Sequence, residues 1–196
     1  MANSNTPSGL RPVGTLGSAG YAGRIEKFYA AATLTSATTA IGIGDTVSLS
    51  GDTDADGIPG VIRGTVGGVA VGVVVGAVPD PDALTKNYRP ASTARYLLVD
   101  TDPNTVYEIQ ESTTSATDMI TTSLGGINVA LSLGTLDTTT GNGKTVLSTT
   151  RYTNATSGDV QILRLSPKAG NTMGESYAKW LVRLNIHQYV NKSTGI

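Results

Sequence analysis

The chain reads as an all-β protein: a single β-sandwich or barrel-like domain with an extended N-terminal arm and little helix. Three observations predict this. Glycine occurs 24 times among 196 residues, and threonine is more frequent still, a composition that favours turns and strands over helices. Apolar residues recur at every second position in several segments, the spacing of a strand with one buried face. Clusters of Gly, Pro, Asn and Asp interrupt those segments at intervals of roughly ten residues, the rhythm of a sandwich or barrel.

Taken in order, residues 1–24 are rich in Asn, Pro, Gly and Ser. Pro7 and Pro12 discourage regular pairing, so the segment is expected to be an arm, either frayed or laid across a neighbour. Its Leu10, Val13, Leu16 and Tyr21 favour docking. The β-rich domain is expected over residues 25–196. Val47 and Leu49 alternate with polar residues ahead of a turn cluster at 51–60. Val69, Val71, Val73 and Val75 keep period two with only Ala, Gly or Val between them, which predicts a strand buried on both faces. Pro79 and Pro81 end it. Strands follow over 95–99 and 105–110, separated by Asp100-Thr-Asp-Pro-Asn104, whose residue types favour a turn. Ile127, Val129, Leu131 and Leu133 alternate with polar or small residues. Val160, Ile162 and Leu165 lie on another strand, stopped by Pro167. Trp180, Val182, Leu184 and Ile186 face one way, and Leu181, Arg183, Asn185 and His187 the other. Residues 115–122 have room for a turn or two of helix, but are rich in Thr.

Only 15% of the residues are charged, against about 25% in an average soluble domain. A surface of Thr, Ser, Ala and Gly is cheap to desolvate, which suits a protein packed in an assembly. The net charge of −1 and pI near 5.7 give no basic footprint for nucleic acid. The apolar run 69–78 is too short to cross a membrane as a helix, and the N-terminus lacks a secretory pattern, so intracellular synthesis is expected. With no cysteine, neither disulfides nor thiolate metal sites contribute. Stability must come from burial, aided by oligomerisation.

Few residues suggest chemistry. Asp52-Thr-Asp54-Ala-Asp56-Gly57 matches the opening of a calcium loop, but Arg63 occupies the position of the final bidentate Glu; an acidic turn is the expected reading, with Asp52, Asp54 and Asp56 as weak calcium candidates. Gly141-Asn142-Gly143-Lys144-Thr145 lacks the first glycine of a phosphate loop, where Thr138 stands. Asn142-Gly143 reads instead as the centre of a type I′ hairpin turn. Gly42-Ile-Gly44-Asp45 reads as a turn leading into a strand. His187 is the sole histidine, and no Ser sits in a nucleophile elbow, so His187 is expected to pack or to meet a partner rather than to catalyse. No catalytic residue and no cofactor is expected.

Several segments together resemble one family. Asn5-Thr-Pro-Ser-Gly-Leu-Arg-Pro-Val13, Asn87-Tyr-Arg-Pro-Ala-Ser-Thr-Ala-Arg-Tyr-Leu-Leu-Val-Asp100, Tyr107-Glu-Ile-Gln-Glu111 and Ser176-Tyr-Ala-Lys-Trp-Leu-Val-Arg-Leu-Asn-Ile-His-Gln188 are similar, in that order, to tailed-bacteriophage capsid cement (decoration) proteins. Residues 112–150 depart from the family in being rich in Thr and Gly. The resemblance implies a non-enzymatic virion protein on the capsid exterior, made in the bacterial host cytoplasm. Its partners would be the major capsid protein and copies of itself, as a dimer or trimer, with no nucleic acid or membrane. Contact candidates are Leu10, Arg11 and Pro12 of the arm, Tyr21, Arg89, Arg95 and His187; for the two arginines, pairing within the domain is the favoured role. The alternative is another virion β-protein, such as a head fibre or tail-associated component. A carboxylate-based glycan hydrolase is the third class, and needs two acids facing each other across a cleft.

Overall fold

The computed structural model describes residues 3–17, 20–33, 38–112, 120, 126–153 and 158–190, with the backbone alone for 149–153. Among the described residues the regular structure is almost wholly β-strand, so the all-β class holds. The eleven strands are β1 (Arg11–Thr15), β2 (Ile25–Ala30), β3 (Thr46–Thr53), β4 (Pro59–Arg63), β5 (Gly72–Ala77), β6 (Arg95–Asp100), β7 (Thr105–Gln110), β8 (Asn128–Ser132), β9 (Val146–Thr153), β10 (Val160–Leu165) and β11 (Lys179–Leu184).

They form two sheets. One closes into a five-stranded barrel in the order β2-β4-β3-β5-β6, and the other is an open six-stranded sheet ordered β1-β7-β11-β10-β8-β9. Closure leaves the barrel no free edge. All of its pairs are antiparallel except β2 with β4. Phe28, Val47, Val61, Val74, Leu97 and Val99 fill its interior. Period two puts them there: Leu97 and Val99 point inward along β6 while Tyr96 and Leu98 stay half-buried.

The open sheet buries one face. Tyr107 and Ile109, Val129 and Leu131, Val160 and Ile162, and Trp180, Val182 and Leu184 make one cluster, which also takes in Ala70 and Val73 from the barrel side. β5 therefore serves both cores, Val73 in one and Val74 in the other. That is the burial on both faces that its sequence predicts, although the strand starts at Gly72 rather than Val69.

Polar bonds tie the two bodies together. Asp159, itself buried, accepts the N–H of Gly67 at 2.7 Å through Oδ1 and that of Leu131 at 2.7 Å through Oδ2. Asp45 in the 42–45 turn accepts the Thr145 hydroxyl at 2.9 Å. Ala70 forms a parallel bridge with His187.

The sequence reading names no strand at β4 or β9, and β3 and β4 both run into the turn cluster expected at 51–60; three further points position the surfaces described below. First, residues 11–15 of the segment expected to be an arm are an edge strand of the chain's own sheet, antiparallel to β7, with a register shift between Pro12 and Gly14. Leu10 just before it is fully buried in the sheet core. Its N–H donates to Gly44 O at 2.9 Å. Gly9 and Gly44 make that approach possible: both have positive φ, and a Cβ on Gly9 would stand 2.6 Å from Gly44 O. Second, β6 and β7 are adjacent in sequence but do not pair. β6 lies between β2 and β5, and β7 between β1 and β11, so the turn between them carries the chain from barrel to sheet. Third, Asn142 and Gly143 are not the centre of a type I′ turn, which needs positive φ at both; only Gly141 has it there, at 74°. The loop turns over 138–140, and Asn142 and Gly143 sit in bridges to Ile43 and Leu136. The helical turn considered over 115–122 lies, apart from Ile120, outside the described residues.

Candidate interaction surface

The 100–104 turn, where the chain leaves the barrel, organises the surface around it. Asp100 is fully buried at its start. Its Oδ1 accepts the Asp102 N–H at 3.1 Å, and its Oδ2 accepts the hydroxyls of Tyr21 at 3.0 Å and Tyr107 at 3.3 Å. Burial and then the Asp100 charge push both tyrosine pKa values up, so the two phenols stay protonated donors. Tyr21 is thereby pinned by its hydroxyl while its ring stays at the surface.

Other apolar side chains gather at the same turn. Leu16 N donates to Asn104 O at 2.9 Å, and Ile25 stands opposite Asp100 across the β2–β6 pair. Tyr189 and Val190 line a shallow groove of about 470 Å³ with Arg24, Glu26, Thr101, Asp102 and Pro103. Leu16, Tyr21, Ile25, Tyr189 and Val190 are 38–61% exposed. Scattered exposed apolar residues are ordinary; five of them around one turn make this a candidate surface. Charges here are few: Arg24 and Glu26 pair with each other at 2.6 Å, and water screens that pair heavily.

The contact candidates divide. Arg11 is exposed, Pro12 is half-buried, and Tyr21 belongs to the surface just described. Leu10, Arg89, Arg95 and His187 are buried, so their side chains are not available to a partner, and their place among contact residues is corrected. Leu10 fills core space. Arg89 donates to the carbonyls of Thr93, Thr39 and Ala31 at 2.6–2.9 Å. Arg95 donates to those of Val78 and Tyr88, each at 3.2 Å. Both guanidinium groups thus satisfy irregular backbone that has no ladder partner.

His187 accepts the Tyr189 N–H at Nδ1, 3.2 Å away, and holds up the chain just before Val190. Its Nε2 meets no hydrogen-bond partner among the described residues. Burial pushes its pKa down, against a weaker upward pull from Asp100 and Asp102. Because the folded pKa lies below the unfolded value of about 6.5, the unfolded chain binds the proton first as pH falls. His187 therefore leaves stability intact above pH 6.5 and erodes it below. Urea midpoints are expected to drop between pH 7.5 and 5.5 by more in the native chain than in His187→Asn; equal drops would remove His187 as the cause.

The carboxylates of the suspected calcium loop do not converge. Asp54 Oδ1 accepts the N–H groups of Asp56 and Ile58 at 2.9 and 2.7 Å, and Oδ2 accepts the Tyr96 hydroxyl at 2.7 Å. The Tyr96 bond leads in holding the Asp54 carboxyl below its ordinary pKa, and the same bond pushes Tyr96 up to about 12. Asp54 thus shapes the β3–β4 turn. Among the described residues no group of three His, Cys, Asp or Glu side chains is placed to hold a metal ion. Nor is any described helix long and apolar enough to cross a membrane.

Leu16 and Tyr21 are among the residues that favour docking in the sequence reading; Ile25, Tyr189 and Val190, which join them at this turn, are not. Comparisons with protein-family models, with curated proteins and with solved structures found no match. A functional reading of this chain therefore stands on its own residues.

Proposed function

We propose that the protein is an adhesive structural component of a tailed-phage virion, a cement protein that binds the outside of the capsid and bridges neighbouring subunits of the major capsid protein. The observation that carries this reading is the exposed apolar surface around the 100–104 turn, on a chain with few ionised groups to desolvate. The resemblance of residues 5–13, 87–111 and 176–188 to the cement proteins supports it. No reaction is needed: burying a large apolar side chain contributes about 1.5–3 kcal/mol, less for one already half covered. Several such side chains per copy, repeated through an oligomer on a repetitive shell, hold by multivalency.

The test uses expanded capsids lacking the protein. The purified chain is expected to bind them at micromolar concentration and to delay their rupture on heating. Ile25→Asp with Tyr189→Asp is expected to weaken binding about 100-fold, the equivalent of about 3 kcal/mol. Because Ile25→Asp sets a carboxylate opposite Asp100 and Tyr189 packs on His187, the uncharged pair Ile25→Ser with Tyr189→Ser is measured beside it, and its binding should fall while its thermal midpoint shifts little. Failure of the native chain to bind would reject the reading. Native-like binding by the variant would reject this surface.

A further inference from the structure

A second surface has a different chemistry. β7 is flanked by β1 and β11, and the register sets Arg11 opposite Glu108 and Lys179 opposite Gln110. Residues opposite each other, and those two apart on one strand, share a face. Arg11, Glu108, Gln110 and Lys179 therefore lie on the sheet face turned away from the core, where Tyr107, Ile109 and Trp180 point. The two cations straddle β7, on strands about 10 Å apart. A groove of about 430 Å³ runs here, walled by residues 5–8 on one side and by Asp137, Thr140, Asn142 and Lys144 on the other. It shares no residue with the apolar surface.

The charges do not cancel inside it. Glu108 is engaged from elsewhere: Oε1 by Lys168 at 2.6 Å and Oε2 by the Ser166 hydroxyl at 2.6 Å. Asp137 accepts the N–H groups of Thr139 and Thr140 through Oδ1, at 2.9 and 3.3 Å, and pairs through Oδ2 with Lys144 at 3.5 Å. Arg11 has no ion-pair partner among the described residues; the Lys179 ammonium makes a 3.4 Å contact with the Thr6 hydroxyl and, at longer range, feels the Glu108 carboxylate that Lys168 already holds at 2.6 Å. Both acids are thus engaged, and Arg11 and Lys179 are left facing one open groove.

We infer that this groove binds an acidic segment of a partner protein, with carboxylates of that segment taken by Arg11 and Lys179. Arginine offers a planar fork suited to a carboxylate, and lysine a point charge that reaches the next one. Two cations on strands about 10 Å apart along one open groove suit successive carboxylates of an extended peptide better than a single compact anion.

The experiment titrates the isolated full chain with a six-residue glutamate peptide, following backbone amide shifts by NMR, with a glutamine peptide, acetate and phosphate as separate arms. Shifts at residues 5, 6, 8, 11, 108–110 and 179 are expected with the glutamate peptide only, weakening steeply with salt. Arg11→Gln with Lys179→Gln should reduce affinity at least about tenfold. Each single change should reduce it by less, which keeps the test open if the double variant folds poorly. No shifts at millimolar glutamate peptide would overturn the proposal. So would equal binding of the glutamine peptide, equal occupancy by acetate or phosphate, or unchanged affinity in both single variants. None of these outcomes bears on binding to capsids through the apolar surface.

Discussion

Asp45→Ala is expected to destabilise the protein by about 3–5 kcal/mol, the cost of removing one partner from a buried ion pair. Asp45 is fully buried where the 42–45 turn leads into β3. Its Oδ1 pairs with Arg63 at 3.0 Å and accepts the Thr145 hydroxyl at 2.9 Å, while Oδ2 accepts the Gly42 N–H at 3.0 Å. The side chain of Arg63 is only 12% exposed. It also donates to the Gly134 carbonyl, and its Nε has no hydrogen-bond partner among the described residues. Alanine would leave this guanidinium largely desolvated and without its counter-charge. It would also remove one tie between loop 134–145 and the barrel, the bond from the Thr145 hydroxyl, while the backbone bonds of Ile43 with Gly141 and Gly143 remain. Urea unfolding measures the effect, and hydrogen exchange in residues 134–145 should quicken more than in β10 or β11. In a double-mutant cycle, Arg63→Met should recover part of the loss by removing the stranded charge. A cost under about 1 kcal/mol would mean that water or a rearranged partner replaces Asp45 at little expense.

Leu10→Ala is expected to cost about 2–4 kcal/mol, within the range for a buried leucine that leaves a cavity. For a chain of this size that lowers the thermal midpoint by roughly 5–15 °C. Leu10 is wholly enclosed in the sheet core, and its backbone is bonded to Gly44 in the barrel. The leading segment is held at further points: Gln110 donates to Asn5 Oδ1 at 2.9 Å and accepts the Thr6 N–H at 2.8 Å, and Asn3 reaches Thr172 O at 3.0 Å. Truncation through residue 16 should therefore lower stability even without any partner, because it removes β1 and uncovers the edge of β7. Arg11→Ala on the same strand, with an exposed side chain, should change stability by less than about 0.5 kcal/mol. If truncation left the midpoint untouched, the segment would be an appendage and not part of the fold.

The legible part of this structure was local. β7 was foreseen at its observed bounds, and the inward faces of β8, β10 and β11 follow from alternation. Alternation is a steric property of neighbouring residues and needs no knowledge of the rest of the chain. The same holds for the acidic turn at Asp54 and for the 100–104 turn, whose Asp side chains cap backbone N–H groups two residues on. β5, too, announces its double burial in an unbroken apolar run.

β1 escaped notice because prolines and glycines conceal an edge strand. Pro12 is tolerated there because an edge position does not require every N–H. Of the apolar surface, Leu16 and Tyr21 were legible in the leading segment, but Ile25, Tyr189 and Val190 were not, because the members are far apart in sequence and nothing in the local setting of these three distinguishes a gathered surface from scattered exposure.

Sequence alone thus determined the class, most strand positions, the faces of those strands and the low charge that makes an adhesive role physically cheap. The tertiary structure decided which strands pair, that one sheet closes while the other stays open, and that Leu10, Arg89, Arg95 and His187 turn inward. The reason is range: a strand's period is written in adjacent residues, whereas burial of a polar group depends on whether distant carbonyls and carboxylates arrive to receive it.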